Sequence, residues 1–238
     1  MKDSFHVKST TSTNNLLCEM SRRYDLPEGF ILYADFQTSG RGQQENSWEA
    51  EKRKNLLFSL LLYPTHIPIQ EQFVISQAVG IGIKRVLDKY TEKISVKWPN
   101  DIYWNDEKIA GILIENSLAG TGIKDSIIGV GLNVNQEKFE KSVNPVSLKQ
   151  ITGKSYSRKK LLKEIKESIL EIYCNWDTEQ IRSKYIQVLY RNNGYFPYSS
   201  QNETFEARIT SVRSDGQLDL EERSGKKRSF YFKEVKFV

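Results

Sequence analysis

The chain has 238 residues, of which 38% are hydrophobic and 27% charged, with a formal net charge of +5. These values are typical of a soluble globular protein, and no apolar run reaches the roughly 20 residues that span a bilayer. The first ten residues contain no apolar core of a signal peptide, and the two cysteines, Cys18 and Cys174, form no CxxC motif. We therefore expect a cytoplasmic protein with buried free thiols and no metal–thiolate site.

The excess of positive over negative charge lies in the last third of the chain. Residues 153–238 carry 17 basic and 12 acidic side chains, whereas residues 1–152 carry 18 of each. A basic surface of this kind is one mark of nucleic-acid binding. No recognition motif accompanies the charge, so we expect a solvated helix face and a basic hairpin.

The first two thirds of the chain predict a sheet with short connections. In chain order, apolar spacing and turn residues predict a helix over 12–23, strands over 29–36 and 55–63 on either side of a polar loop over 37–51, a helix over 68–90, and strands over 94–98, 102–104, 109–115 and 125–133. Hairpin connections between the last four strands favour a mixed or antiparallel sheet over a Rossmann fold.

The remaining third predicts two helices and then a set of short strands. The helices cover 157–176 and a segment beginning at Asp177, and the strands cover 204–212, 217–222, 228–232 and 234–237. About 45 residues of short strands indicate a small barrel of the SH3 kind. We therefore divide the chain into domains at 1–192 and 193–238.

The polar loop over 37–51 has the composition of an anion site. Gly40 and Gly42 flank Arg41, so the backbone could adopt positive φ there and expose amides to an anion. Arg41 adds a fixed cation with planar donors. Trp48 could close over a ligand ring. A mobile surface loop with an incidental arginine is the alternative.

The segment Lys97-Trp98-Pro99-Asn100-Asp101 is more specific. Lys97 brings a point charge to a strand end, and Pro99 makes the turn rigid. Asn100 offers both a donor and an acceptor, as reading an adenine edge requires. Asp101 could help to hold Mg²⁺ or accept from a lysine amine. A hairpin turn alone would explain Asn100 and Asp101.

A lysine and several glycines follow in the next two strands. Lys108 stands in an apolar run and requires an anionic partner, which is either a bound ligand or a structural carboxylate such as Glu115. Gly111 allows a ligand to lie against the backbone. Asn133 ends the strand that contains Gly129-Val130-Gly131 and could complete a nucleotide contact, although a β-bulge also explains these glycines.

These segments, in this order, resemble the biotin protein ligases. The matching motifs are Ser12-Thr13-Asn14, QTSGRG from Gln37 to Gly42 with Trp48, KWPND at 97–101, KIAG at 108–111 and GVGLN at 129–133. The likeness is close over residues 9–135 and looser over the rest. It implies an α+β fold: a mixed sheet like that of class II tRNA synthetases, flanked by helices, with a small C-terminal SH3-like β-barrel.

The resemblance also implies a reaction. Biotin and MgATP would give biotinyl-5′-AMP, and the acyl group would pass to one lysine of a biotin carboxyl carrier domain. The resemblance assigns catalysis to Arg41, Lys97 and Lys108, and we add Asp101 as the group that could deprotonate the incoming amine. Biotin binding falls to Ser12, Thr13, Asn14, Gln37, Gly40, Arg41, Gly42, Lys108 and Gly111. ATP binding falls to Arg41, Trp48, Lys97, Asn100 and Asn133, and Asp101 is the candidate Mg²⁺ ligand.

Two departures from the family's motifs carry expectations. Many relatives have a second arginine where this chain has Gln43, so we expect the adenylate to be held less tightly. The sequence has no segment for a winged-helix DNA-binding domain before the Ser12 motif, so we expect a monofunctional ligase that binds no DNA. An edge strand of the sheet would allow a homodimer.

Three other functions compete with this interpretation. A lipoate-type ligase shares the fold, but the polar Ser12 and Gln37 cluster suits biotin better than a long apolar acid. A nucleic-acid-binding module would use Tyr231 and Phe232 beside the basic run 226–228. A ligand-binding protein without catalysis is the third, and release of pyrophosphate would exclude it.

Overall fold

The computed structural model describes residues 3–43, 46–120, 122–201 and 203–238. Residues 44 and 45 of the predicted loop over 37–51 lie outside the described part. The strands in chain order are β1 Ser4–Val7, β2 Ile31–Ala34, β3 Leu56–Leu62, β4 Ile94–Lys97, β5 Asp101–Trp104, β6 Glu107–Ala119, β7 Gly122–Leu132, β8 Phe196–Ser200, β9 Glu203–Val212, β10 Leu218–Glu222, β11 Lys227–Phe230 and β12 Lys236–Phe237. The α-helices are α1 Thr13–Arg23, α2 Phe73–Leu87, α3 Leu148–Thr152, α4 Arg158–Cys174 and α5 Thr178–Val188.

The larger sheet has seven strands in the order β1-β2-β3-β7-β6-β5-β4. The β1–β2 pair is parallel and every other neighbouring pair is antiparallel, which confirms the predicted mixed sheet. The short hairpins β4–β5, β5–β6 and β6–β7 bring the two predicted lysine motifs onto adjacent strands. The edge strands are β1 and β4.

Helices cover both faces of this sheet, which explains why every residue of β3 is buried. On one face α1 packs on β2, β3 and β7, and Leu17 of the helix meets Leu61 of β3 in a small core. On the other face α2 lies on β4, β5 and β6, and α4 and α5 pack on α2. Phe58 and Leu60 of β3 belong to the main core on that side. The alternation along β3 therefore feeds two separate cores.

Side chains cap helices α4 and α5 at their first residues. Ser157 accepts from the amide of Lys160 at the start of α4, and Asp177 accepts from the amide of Gln180 at the start of α5. The long helix predicted over 68–90 begins later, at Phe73, after a short 3-10 turn.

The last five strands form a separate antiparallel sheet in the order β11-β10-β9-β8-β12. This order leaves β11 and β12 at opposite edges, so a second sheet at this place is confirmed while closure into an SH3-like barrel stays a prediction. Trp98 joins the two sheets: it is 4% exposed, and its indole N–H donates to Gly216 O at 2.8 Å. Its ring also meets Phe232 edge-on, with centroids 6.5 Å apart. The division at residue 193 stays a prediction.

Some elements differ from the sequence prediction. Strands β1 and β8 and helix α3 were not predicted from the sequence.

Both cysteines are free, as expected, but Cys174 is exposed and Cys18 only half-buried, so the prediction of two buried thiols is wrong. Across the described ranges, no helix combines the length and apolar character needed to cross a membrane.

Candidate active site

One cavity of about 630 Å³ gathers most of the predicted site residues. Its wall is formed by the start of α1, the loop after β2, the turn between β4 and β5, strands β6 and β7, and the C-terminal segment. The predicted residues that line it are Ser12, Thr13, Asn14, Gln37, Arg41, Gly42, Trp48, Lys97, Asn100, Asp101, Lys108 and Gly111. Gly40 and Asn133 lie outside the cavity wall.

A neutral polar cluster forms one end of this cavity. Gln37 Oε1 accepts from the backbone N of Thr13 at 2.7 Å and from its hydroxyl at 3.0 Å. The hydroxyl of Ser59 lies 2.8 Å from Thr13 Oγ1 and 2.5 Å from Asn14 Oδ1. Thr13 and Asn14 are 4% and 3% exposed, and Ser59 is fully buried. Because these side chains form hydrogen bonds with one another, they are held in fixed directions before any ligand binds.

Glu115 connects this cluster to the arginine of the loop. Asn14 Nδ2 donates to Glu115 Oε2 at 2.7 Å and to Leu113 O at 3.2 Å. Arg41 Nη2 donates to Glu115 Oε1 at 2.8 Å, and Arg41 Nη1 donates to Asn15 Oδ1 at 2.5 Å. Glu115 is thus the partner of Arg41, and the sequence-based suggestion that it pairs with Lys108 is wrong.

The loop that carries Arg41 is a narrow hairpin. Arg41 and Ser47 form an antiparallel bridge, Gly42 N donates to Asn46 O at 2.7 Å, and Trp48 N donates to Gly40 O at 2.9 Å. Neither Gly40 nor Gly42 has a positive φ, so the predicted nest of free amides is wrong. Glycine is needed at 40 for another reason: a Cβ there would lie 2.7 Å from the carbonyl oxygen of Trp48.

Trp48 lies flat on two glycines of the sheet. Gly111 in β6 and Gly131 in β7 are register partners. A Cβ at 111 would come within 2.9 Å of the indole Cζ3, and one at 131 would overlap the five-membered part of the ring. The two glycines therefore provide the flat surface that this ring occupies. The indole Nε1 is buried and has no hydrogen-bond partner among the described residues.

Glu49 fixes the end of the same loop. Its carboxylate accepts from the amides of Glu140, Lys141 and Ser142 at 2.8, 3.0 and 2.9 Å, and from the Ser142 hydroxyl at 2.8 Å. Partial burial would raise the pKa of Glu49, but these hydrogen bonds outweigh it and lower the pKa below its ordinary value. Trp48 is therefore anchored by the residue that follows it.

Lys108 has its anionic partner inside the cavity. Lys108 Nζ lies 2.7 Å from Asp101 Oδ1, with 30% and 23% of the two side chains exposed, and 5.6 Å from the centre of the Trp48 ring. The backbone of Lys108 pairs with the segment around Pro145: its N–H donates to Asn144 O at 2.7 Å and its carbonyl accepts from Val146 N at 3.0 Å. The ion pair places a positive and a negative group side by side at the middle of the site.

Lys97 lies among aromatic rings. Its Nζ atom is 3.0 Å from the hydroxyl of Tyr103 and lies 4.4, 5.6 and 5.2 Å from the ring centres of Tyr103, Tyr190 and Phe237. Burial lowers the pKa of Lys97, and the nearby carboxylate of Asp101 opposes that shift. Burial also raises the pKa of Tyr103. The ammonium of Lys97 is thus held on a partly apolar wall of the cavity.

The two predicted asparagines have different positions. Asn100 lines the cavity, and its Nδ2 donates to Ile112 O at 2.5 Å. Asn133 is 3% exposed and lies outside the cavity wall; its Oδ1 accepts from Asn55 Nδ2 at 3.3 Å and its Nδ2 lies 3.5 Å from Lys108 O. Its side chain supports the backbone of Lys108, and direct contact with a nucleotide stays a prediction.

The C-terminal segment supplies a wall that the sequence analysis missed. Phe232, Lys233, Val235, Lys236 and Phe237 all line the cavity. With them, the described wall carries five basic side chains and one acidic side chain. The cavity is therefore suited to a ligand with several negative charges. Nothing in the short strands near the C-terminus indicates that they return to a site more than 100 residues earlier.

The described part of the cavity wall does not form a resident metal site. Among the described residues, no three His, Cys, Asp or Glu side chains come together as metal ligands. Asp101 is the one carboxylate of the described wall, and it is already paired with Lys108. Mg²⁺ commonly uses one or two carboxylates together with substrate phosphates. The donor set therefore suits an ion that arrives with a nucleotide.

The basic hairpin of the second sheet is largely neutralised by its own carboxylates. Arg228 pairs with Glu203 at 2.8 Å and with Glu222 at 2.6 Å, and Arg213 pairs with Asp219 at 2.9 Å. These pairs leave less charge for phosphates than the sequence suggests, which disfavours the nucleic-acid-binding alternative.

Comparison with known proteins gives consistent matches. A family model described as the biotin/lipoate A/B protein ligase family matches residues 6–133, which include every predicted site residue. The bifunctional ligase/repressor BirA of Bacillus spizizenii is 29% identical over 233 residues, covering 92% of this chain and 70% of that relative. The biotin–[acetyl-CoA-carboxylase] ligase of Mycobacterium tuberculosis is 32% identical over 177 residues, covering 69% and 63%. A biotin protein ligase from Aquifex aeolicus in complex with biotin and ATP has a TM-score of 0.79 at 24% identity and covers 100% of both chains, a likeness of fold alone.

Proposed function

This chain belongs to the biotin/lipoate A/B protein ligase family, and from that premise we propose that it is a biotin protein ligase. It activates biotin with ATP to biotinyl-5′-AMP and passes the acyl group to one lysine of a biotin carboxyl carrier domain. The observation that carries the proposal is the convergence of Arg41, Lys97 and Lys108 on one cavity with a neutral polar end. The acceptor, the Mg²⁺ ion and a cytoplasmic location are parts of the same proposal.

The neutral end of the cavity receives the ureido ring of biotin. That ring is polar and uncharged, so hydroxyls and amides suit it better than ions. Ser12, Thr13, Asn14 and Gln37 provide such groups at one end of the wall. Arg41 lies beside this end, where it would meet the carboxylate of the substrate.

The nucleotide lies on the basic side of the cavity. Trp48 offers a ring face to adenine, and Asn100 lies in the wall beside it. Gly40 and Gly42 flank Arg41 and, lacking a Cβ, allow the two sides of its loop to pair closely. Gly111 keeps the sheet surface flat. The predicted role of Asn133 is indirect in this arrangement, through the carbonyl of Lys108.

In the first step a carboxylate oxygen of biotin attacks the α-phosphorus, and the bond from that phosphorus to the bridging oxygen of pyrophosphate breaks. Two anions must approach each other, so the barrier is lowered by cations fixed around the reacting atoms. Arg41, Lys97 and Lys108 supply them. Asp101 is the carboxylate of the described wall that would help to hold a Mg²⁺ ion brought by ATP, and such an ion would neutralise charge on the pyrophosphate group.

In the second step the amine of a carrier lysine attacks the acyl carbon, an amide bond forms and AMP leaves. The attacking amine must lose a proton, and Asp101 is the carboxylate of the described wall that could accept it. The 2.7 Å pair with Lys108 holds the carboxylate of Asp101 in place at the cavity wall.

Mass spectrometry of a carrier domain incubated with the protein, ATP, Mg²⁺ and biotin tests the proposal. We expect addition of one biotinyl group to one lysine, and no addition without ATP. Pyrophosphate exchange with biotin and with lipoate separates the two ligase types of this family. Exchange that depends on lipoate and not on biotin would refute the biotin assignment.

A further inference from the structure

The ammonium of Lys97 is surrounded by rings from three distant parts of the chain. Tyr103 belongs to β5, Tyr190 follows α5, and Phe237 is the penultimate residue. The distances from Nζ to the three ring centres are 4.4, 5.6 and 5.2 Å. All three lie within the range of a cation–π contact. Only Phe237 of these rings comes from the second sheet.

Neighbouring contacts hold these rings in place. The hydroxyl of Tyr190 donates to Asp106 Oδ1 at 2.5 Å, and Tyr103 and Tyr190 lie 5.4 Å apart. Phe237 pairs in register with Tyr198 of β8, and the two ring centres are 5.1 Å apart. Its ring also lies 6.0 Å from that of Tyr190. The pairing with β8 and the contacts with two neighbouring rings therefore fix the position of Phe237, although it stands near the end of the chain.

Such a fixed set of rings matters because lysine is flexible. Its four-carbon stem must lose conformational freedom before the ammonium can act at one point. We propose that Phe237 is a positioning residue for Lys97, which holds the ammonium toward the α-phosphoryl group during adenylate formation. This inference rests on the proposed function, in which Lys97 stabilises the charge that develops there.

Single-turnover adenylation, with enzyme in excess over ATP, tests the role of Phe237. The Phe237→Leu variant removes the ring, Phe237→Tyr keeps it, and Phe5→Leu is the matched control on the exposed edge strand β1. In Phe237→Leu we expect the rate of biotinyl-5′-AMP formation to fall about 5-fold, as for loss of one cation–π contact. The KM for biotin stays within about two-fold, and Phe237→Tyr and Phe5→Leu keep the wild-type rate.

A double-mutant cycle with Lys97→Met separates positioning from general packing. If Phe237 acts through Lys97, adding Phe237→Leu to Lys97→Met causes no further loss. An equal 5-fold loss in both backgrounds overturns the inference, and so does a wild-type rate in Phe237→Leu. Phe237→Met serves the same comparison if the leucine variant unfolds below the assay temperature. Formation of biotinyl-5′-AMP by the wild type is checked first, so a failure here concerns Phe237 and not the reaction.

Discussion

The contact between Trp48 and the sheet can be tested by adding one methyl group. Gly131 is the penultimate residue of β7 and lies opposite Gly111, and a Cβ there would lie 2.5 Å from the indole Nε1 and 2.8 Å from Cδ2. Real Cβ atoms do not approach other atoms so closely, and therefore the ring must move. Trp48 stands in a loop and is half-buried, so it can swing away while the strand pairing is kept.

The expected effects of Gly131→Ala on stability and on binding differ. Gly131 has no positive φ, so alanine fits the backbone. Alanine leaves the unfolded chain with less conformational freedom than glycine, which should stabilise the fold by about 0.5–1 kcal/mol and offset part of the lost packing. Stacking of a base on an aromatic ring is worth about 1–3 kcal/mol. We therefore expect the KM for ATP to rise about 10-fold while the melting temperature changes little.

Gly122→Ala is the matched control for this change. It lies in the same strand, and a Cβ there would have its nearest neighbours at 3.9 and 4.0 Å. Both variants are measured by biotin-dependent pyrophosphate exchange over a range of ATP concentrations, with melting temperature and tryptophan fluorescence recorded alongside. A KM for ATP that is equal in Gly131→Ala and Gly122→Ala would remove Trp48 from the nucleotide site.

Three further changes give separate tests. Lys108→Ala removes a fixed charge at the reacting centre, so the rate of adenylation should fall at least about 100-fold. Lys124 is an exposed lysine on β7, and Lys124→Ala should keep the wild-type rate. Equal losses in the two variants would contradict the role of Lys108. Hydrogen bonds hold the pKa of Glu49 below its ordinary 4.5, so its contribution to stability is complete above that pH and is lost as the pH falls through the lowered value. Glu49→Gln should therefore lower the melting temperature at neutral pH, and the gap to wild type should close in acid; a gap independent of pH would count against this. Gln43→Arg adds a cation to the cavity wall and should slow dissociation of biotinyl-5′-AMP, and unchanged release rates would reject that expectation.

The sequence predicts best where local chemistry decides the structure. The apolar run over 55–63 predicted the strand β3, and the hairpin connections after it predicted neighbouring strands. The cations of the site could be named in advance because Arg41, Lys97 and Lys108 stand in short motifs that resemble those of a known family. Helix α3 was missed although its signal is present, since Ser147 and Gln150 form a capping box and Gly153 follows with φ of 73°.

The rest depends on distances between parts of the chain that are far apart in sequence. Lys108 could have paired with any nearby carboxylate, and only the strand register places Asp101 beside it. The lysines at 233 and 236 belong to the cavity because Trp98 holds the second sheet against the first. Glycines at 40 and 42 suggested a left-handed backbone, whereas the real constraint at Gly40 is a carbonyl oxygen 2.7 Å from its missing Cβ.

The 2.8 Å pair of Arg41 and Glu115 has a consequence for selectivity. The guanidinium of Arg41 is already paired before an acid binds. The carboxylate of the acid therefore replaces that of Glu115, and the number of charge contacts barely changes. Recognition of an acid by its charge alone then yields little net affinity. Discrimination among vitamins and fatty acids must come from their uncharged ends, which meet hydroxyls and amides that Thr13, Asn14 and Gln37 already hold in fixed directions.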